Sequence, residues 1–132
     1  MVLLAAGCGS GGGAGNNPTE PRFDLTITFW PAGRDGPSRT ATLTCVPDGG
    51  THPDPDKACA ALRAHPQALD PVPQDTACTE IYGGDQVAMV TGEAGLDDPH
   101  QARLRIDALL NRANGCEIAR WDELAPLLEL PG

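Results

Sequence analysis

The sequence predicts an α+β domain in which an antiparallel β-sheet packs against two short helices and two disulfides staple the fold. Three observations lead to this. Residues 23–30 and 39–46 alternate apolar and polar side chains across a short turn, the pattern of a hairpin with one buried face. Stretches 55–64 and 118–128 space their apolar residues as helices do. Four cysteines, at positions 45, 59, 78 and 116, fall inside this region, and in an exported domain they are better used as disulfides than as metal ligands.

The chain has 132 residues, enough for one domain and a short tail. Once the tail is set aside the core is small and poor in rings, aromatic residues being 4% of the whole, so covalent cross-links contribute much to stability. The formal net charge is −9 and no cluster of Lys or Arg interrupts it. That balance excludes a nucleic-acid partner, whose phosphates need a basic face, and otherwise describes a soluble surface.

In chain order, residues 1–7 are a short apolar run ending in Ala5, Ala6 and Gly7, followed by Cys8. This is too short to cross a membrane and matches the end of a signal peptide. Its last four residues resemble a bacterial lipobox, so Cys8 is the expected lipid-attachment site. That places the domain outside the cell at the outer face of the membrane, touching the membrane only through the lipid; the alternative is a free thiol on a secreted protein. Residues 8–22 hold this cysteine and a Gly- and Asn-rich tether with too few apolar side chains to fold, and about 13 such residues span roughly 20 Å. The domain proper is residues 23–132.

Phe23, Leu25, Ile27 and Phe29 form the inward side of a first strand, with Asp24, Thr26 and Thr28 on the other. Residues 31–37 turn, and residues 39–46 return as the second strand. A loop around His52 follows; no second histidine or thiol is spaced to share a metal with it, so a structural role is expected. Asp54 or Asp56 can cap a helix over residues 55–64, with Pro55 in its first turn and Ala58, Cys59, Leu62 and Ala61 inward. Pro66 ends it, and residues 68–75 are a proline-rich connection. Thr79, Ile81 and Tyr82 then favour extended backbone between Pro71 and Pro73 upstream and Gly83 and Gly84 downstream, which describes an exposed extended loop running into a strand. Residues 86–91 are apolar on both faces, as a central strand is, and residues 92–101 are turn-like.

Residues 102–112 fit two patterns. Ala102, Leu104, Ile106 and Ala108 alternate, while Ile106, Leu109 and Leu110 suit a helix, which propensity also favours. Ile118, Trp121, Leu124, Leu127 and Leu128 mark a last, short amphipathic helix broken at Pro126.

Catalysis is not expected. His52, His65 and His100 sit in loops or at a helix end, and no Ser, Cys or carboxylate motif accompanies them. No metal or cofactor is predicted.

Several segments together resemble the subtilisin inhibitor-like family of actinobacterial serine protease inhibitors: Leu25-Thr26-Ile27-Thr28, Thr42-Leu43-Thr44-Cys45, Gly50-Thr51-His52-Pro53, Ala58-Cys59-Ala60-Ala61-Leu62, Ala77-Cys78-Thr79-Glu80-Ile81-Tyr82-Gly83 and Asn114-Gly115-Cys116-Glu117. Sequence alone permits three pairings of the four domain cysteines; the resemblance selects Cys45 with Cys59 and Cys78 with Cys116. It also implies a strand at 102–112 to bring Cys116 beside Cys78, and a homodimer through the sheet face. In the loop it makes Glu80-Ile81 the reactive bond, with Ala77, Cys78, Thr79, Tyr82 and Gly83 contacting the protease and Asn114 supporting the loop from behind. The implied activity is substrate-like inhibition of a serine protease. Glu80 in the specificity position favours a glutamyl endopeptidase over a subtilisin-like enzyme. The alternative is a lipid-anchored domain that has kept the fold and lost inhibition.

Overall fold

The computed structural model describes residues 22–95 and 104–131. Cys8 and the tether, with the expectations attached to them, lie outside the described residues.

Strand β1 (Arg22–Trp30) and strand β2 (Arg39–Cys45) form the expected hairpin, with Leu25 opposite Leu43 and Ile27 opposite Ala41. Strand β3 (Val87–Gly95) lies on the other side of β1, and β4 (Leu104–Asn111) on the far side of β3, giving the order β2-β1-β3-β4 with every pair antiparallel. Opposite residues share a face. Phe23, Leu25, Ile27 and Phe29 therefore align with Ala41, Leu43 and Cys45 on one flank, and with Ala88, Val90 and Ala94 on the other. These side chains are buried.

Of residues 102–112, those from Leu104 to Asn111 form a strand, with Arg112 just past its end. Ala108 and Leu110 enter the core beside Val90 and Ala88, while Leu109 turns outward at 47% exposure. A helix would have required Leu109 and Leu110 on one side; pairing with β3 outweighs local helix propensity. Two boundaries differ from the sequence expectation. Strand β3 continues through Gly92 to Gly95 because β1 offers partners along its whole length, Leu25 facing Gly92 and Arg22 facing Gly95. The last helix also starts earlier and survives its proline.

Helix α1 (Pro55–Ala64) takes Asp54 as its cap, the side chain accepting from the Lys57 N–H at 3.3 Å. Ala58, Cys59, Ala61 and Leu62 are buried as expected. A 3-10 turn, Pro66–Leu69, follows and buries Ala68 and Leu69. Helix α2 (Gly115–Leu128) is capped by Asn114, whose Oδ1 accepts from the Glu117 N–H at 3.0 Å. Pro126 lies inside its last turn, where the lost bond costs less than the burial of Leu124, Leu127 and Leu128 contributes.

Both helices cover one face of the sheet. Trp121, fully buried, sits against Phe29 with ring centroids 6.0 Å apart, and its indole N–H donates to Glu129 at 2.7 Å. The opposite face carries Thr26, Thr28 and Thr91 together with Met89 and Leu109.

Two buried polar residues pin the layers together. His52 accepts from the Asp54 N–H at Nδ1 (3.0 Å), so Nε2 carries the proton and donates to the Leu127 carbonyl (3.1 Å). This is the structural histidine the sequence suggested. Arg120 was not singled out by the sequence. It is only 7% exposed and donates to the carbonyls of Ala68 and Leu69 in the 3-10 turn, to Leu109 in β4, and to Glu117.

Candidate functional site

The two disulfides are Cys45–Cys59 and Cys78–Cys116, with Cα atoms 5.8 and 5.3 Å apart. The first ties the end of β2 to α1. The second ties the first turn of α2 to the loop between the 3-10 turn and β3. In the chain-entropy picture, closing about 15 residues contributes roughly 3 kcal/mol and closing about 39 roughly 4.

Residues 76–84 have no regular secondary structure. Thr79, Glu80, Ile81 and Tyr82 are exposed, Ile81 at 60% and Tyr82 at 64%. Ile81 and Tyr82 are neighbours, so the loop apex carries a small contiguous apolar patch. Among the described residues, neither Glu80 nor Ile81 hydrogen-bonds to the rest of the domain.

The chain on either side of this apex is held. On the N-terminal side stands the Cys78–Cys116 bond, and next to it the Gly115 N–H donates to the Thr79 carbonyl at 2.9 Å. Gly115 is needed for this approach, since a Cβ there would overlap Thr79 Oγ1. On the C-terminal side the Gly83 N–H donates to the Arg112 carbonyl at 2.7 Å, and Arg112 Nε donates back to the Gly83 carbonyl at 3.1 Å. Tyr82 donates from its hydroxyl to Asp85.

Of the residues predicted for the site, Ala77, Cys78, Thr79, Glu80, Ile81, Tyr82 and Gly83 form one irregular segment, exposed from Thr79 to Tyr82. Asn114 stands at the start of α2. Its side-chain oxygen is engaged in capping α2, and the hydrogen bond that reaches the loop from this corner comes from the backbone of its neighbour, Gly115. Arg112 was missed. Its position two residues before Asn114, at the end of a predicted strand aimed at Cys116, was the available signal.

A small, doubly stapled α+β domain with an exposed segment anchored on both sides is a loop-presenting module. The sequence profile of the subtilisin inhibitor-like family matches residues 22–93. Subtilisin inhibitor-like protein 1 of Streptomyces cacaoi is 39% identical over 95 residues, covering 67% of this chain and 79% of that protein. Subtilisin inhibitor-like protein 5 of Streptomyces fradiae is 51% identical over 49 residues, covering 35% of this chain and 46% of its own. The chain belongs to the subtilisin inhibitor-like family, whose members are not enzymes. Among solved structures, Streptomyces caespitosus sermetstatin in complex with Bacillus licheniformis subtilisin aligns at a TM-score of 0.40 and 22% identity, over 82% of this chain and 97% of that one.

Proposed function

We propose that the protein is a substrate-like serine protease inhibitor that presents Glu80-Ile81 as its reactive bond. The observation that carries this reading is the exposed apex at residues 80–82 between two backbone anchors, Thr79 to Gly115 and Gly83 to Arg112. An extended segment can pair with a protease cleft through its backbone while one side chain enters the specificity pocket. Rigidity separates an inhibitor from a substrate. Because folding has already ordered the segment, binding loses little entropy, and cleaved ends that stay aligned can be rejoined.

The relatives' names point to subtilisin as target, but Glu80 argues for a different one. An apolar pocket would have to strip water from its carboxylate without pairing it, at a cost of about several kcal/mol. A glutamyl endopeptidase of the chymotrypsin type supplies hydrogen-bond donors to that carboxylate and is the preferred partner. Localisation follows the N-terminal segment: a lipid on Cys8 would hold the domain at the outer face of the cell membrane. The open sheet face, with Met89 and Leu109, is the surface through which a homodimer would form.

The test is titration of the purified domain against glutamyl endopeptidase and subtilisin, with mass spectrometry of the equilibrated mixture. The reading requires tight, slowly reversible inhibition of the glutamate-selective enzyme and a single cut between Glu80 and Ile81. Rapid degradation, or a cut elsewhere, rejects it.

A further inference from the structure

We infer that Arg112 is a positioning residue that holds the C-terminal arm of the loop, so that the amino group released by cleavage stays beside the acyl group it left. The inference rests on the inhibitor reading above and names a residue that this reading does not require.

Hydrolysis of Glu80-Ile81 adds the hydroxyl of water to the Glu80 acyl carbon and breaks the C–N bond, whose electron pair and a proton pass to the Ile81 nitrogen. Near neutral pH the products are a carboxylate and an ammonium group. Resynthesis inside the protease releases the same water and needs both ends within reach of each other. On the acyl side the body grips the chain one residue from the cut, through Thr79, and covalently one residue further back at Cys78. On the amine side no disulfide follows. Ile81 and Tyr82 are exposed, and the first backbone hydrogen bonds to the body occur at Gly83, both of them to Arg112.

The Arg112 side chain is built for this grip. It is 19% exposed, and its Nη1 is held at 2.8 Å by Asp122 on α2, which fixes the guanidinium plane so that Nε points at the Gly83 carbonyl. Gly83 lies close enough to the body that a Cβ there would come within 2.8 Å of Ile118 and 3.1 Å of the Arg112 Cβ. One short stretch, residues 112–116, thus grips both sides of the scissile bond: Arg112 the amine arm, Gly115 and Cys116 the acyl arm.

The experiment compares wild type with Arg112→Ala, Arg112→Lys and Asp122→Asn. For each, backbone 15N relaxation of the free protein, thermal melting, and the ratio of cleaved to intact inhibitor at equilibrium with the inhibited protease are measured. Arg112→Ala is expected to lower the order parameters of Ile81, Tyr82 and Gly83 to below about 0.6 while those of Ala77 to Thr79 stay near the rigid value. The cleaved form should gain about tenfold over the intact form as pre-organisation of the amine arm is lost. Arg112→Lys, which has no donor at the Nε position, should resemble the alanine variant, and Asp122→Asn should fall between. Unchanged order on the amine arm, or equal loss on both arms with a lowered melting temperature, would assign Arg112 to fold stability and overturn the inference. If wild type inhibits neither protease the inhibitor reading fails, and the relaxation data still decide whether Arg112 orders this arm.

Discussion

The Gly115 N–H donates to the carbonyl of Thr79 at 2.9 Å, one residue along from the covalent link between Cys116 and Cys78. Covalent and hydrogen-bonded attachments thus run side by side, from the first turn of α2 to the segment just before Glu80. The sulfur link limits how far the loop can move, and the hydrogen bond sets which way its backbone faces. This pairing leads to the first expectation.

Gly115→Ala should separate the two attachments. The added methyl group meets Thr79 Oγ1, so the loop must move away from α2 although the disulfide remains. A stability loss of about 1–3 kcal/mol is expected, as for other overpacked sites. Inhibition should weaken further than stability does, which parallel melting curves and inhibition constants would reveal. An alanine variant that inhibits like wild type would remove the Thr79 contact from the mechanism.

The two disulfides should differ in function more than in stability. Replacing Cys45 and Cys59 by serine is expected to cost about 3 kcal/mol, and replacing Cys78 and Cys116 about 4. Only the second pair touches the loop. Below its melting temperature the first variant should still inhibit, whereas the second should be degraded as an ordinary substrate. Gel analysis of protease digests over time distinguishes these outcomes.

Specificity should follow residue 80. Glu80→Lys is expected to redirect inhibition towards trypsin, and Glu80→Leu towards subtilisin, each change amounting to about tenfold or more per 1.4 kcal/mol of altered pocket contact. Inhibition constants for the three proteins against glutamyl endopeptidase, trypsin and subtilisin form the measurement. A common ranking of the proteases for all three would show that Glu80 does not enter the specificity pocket.

His52→Ala should destabilise the domain without touching the loop. It leaves the Asp54 N–H and the Leu127 carbonyl without their partner. A buried group left unpaired, here the Leu127 carbonyl, costs about 1–3 kcal/mol. Denaturant unfolding should show the loss, while the inhibition constant of the folded fraction stays unchanged. Arg120→Met should act similarly, because the carbonyls of Ala68, Leu69 and Leu109 all lose a charged donor.

The hairpin was legible in the sequence, because Phe23 to Phe29 alternate without a break and two-fold periodicity admits one buried face. Helix α1 was legible for a comparable reason, from an aspartate cap beside Pro55 and a helical stripe from Ala58 to Leu62, and the structure chose Asp54 over Asp56 as the cap. That residues 77–83 form an exposed loop was equally legible, from the prolines before them and the glycines after. Local signals of this kind need only near neighbours in the chain. Residues 104–111 were different: their pattern satisfied both periods, and the choice was made by the hydrogen-bonding edge of β3, which no local pattern encodes. Composition left three cysteine pairings open, and the fold realises the one in which α2 starts beside the loop. Arg112 and Arg120 could not be given their roles from the sequence, for the same reason. Their partners lie 29 and more than 50 residues away, at Gly83 and at Ala68 and Leu69, so only the packed structure could give these charges their roles.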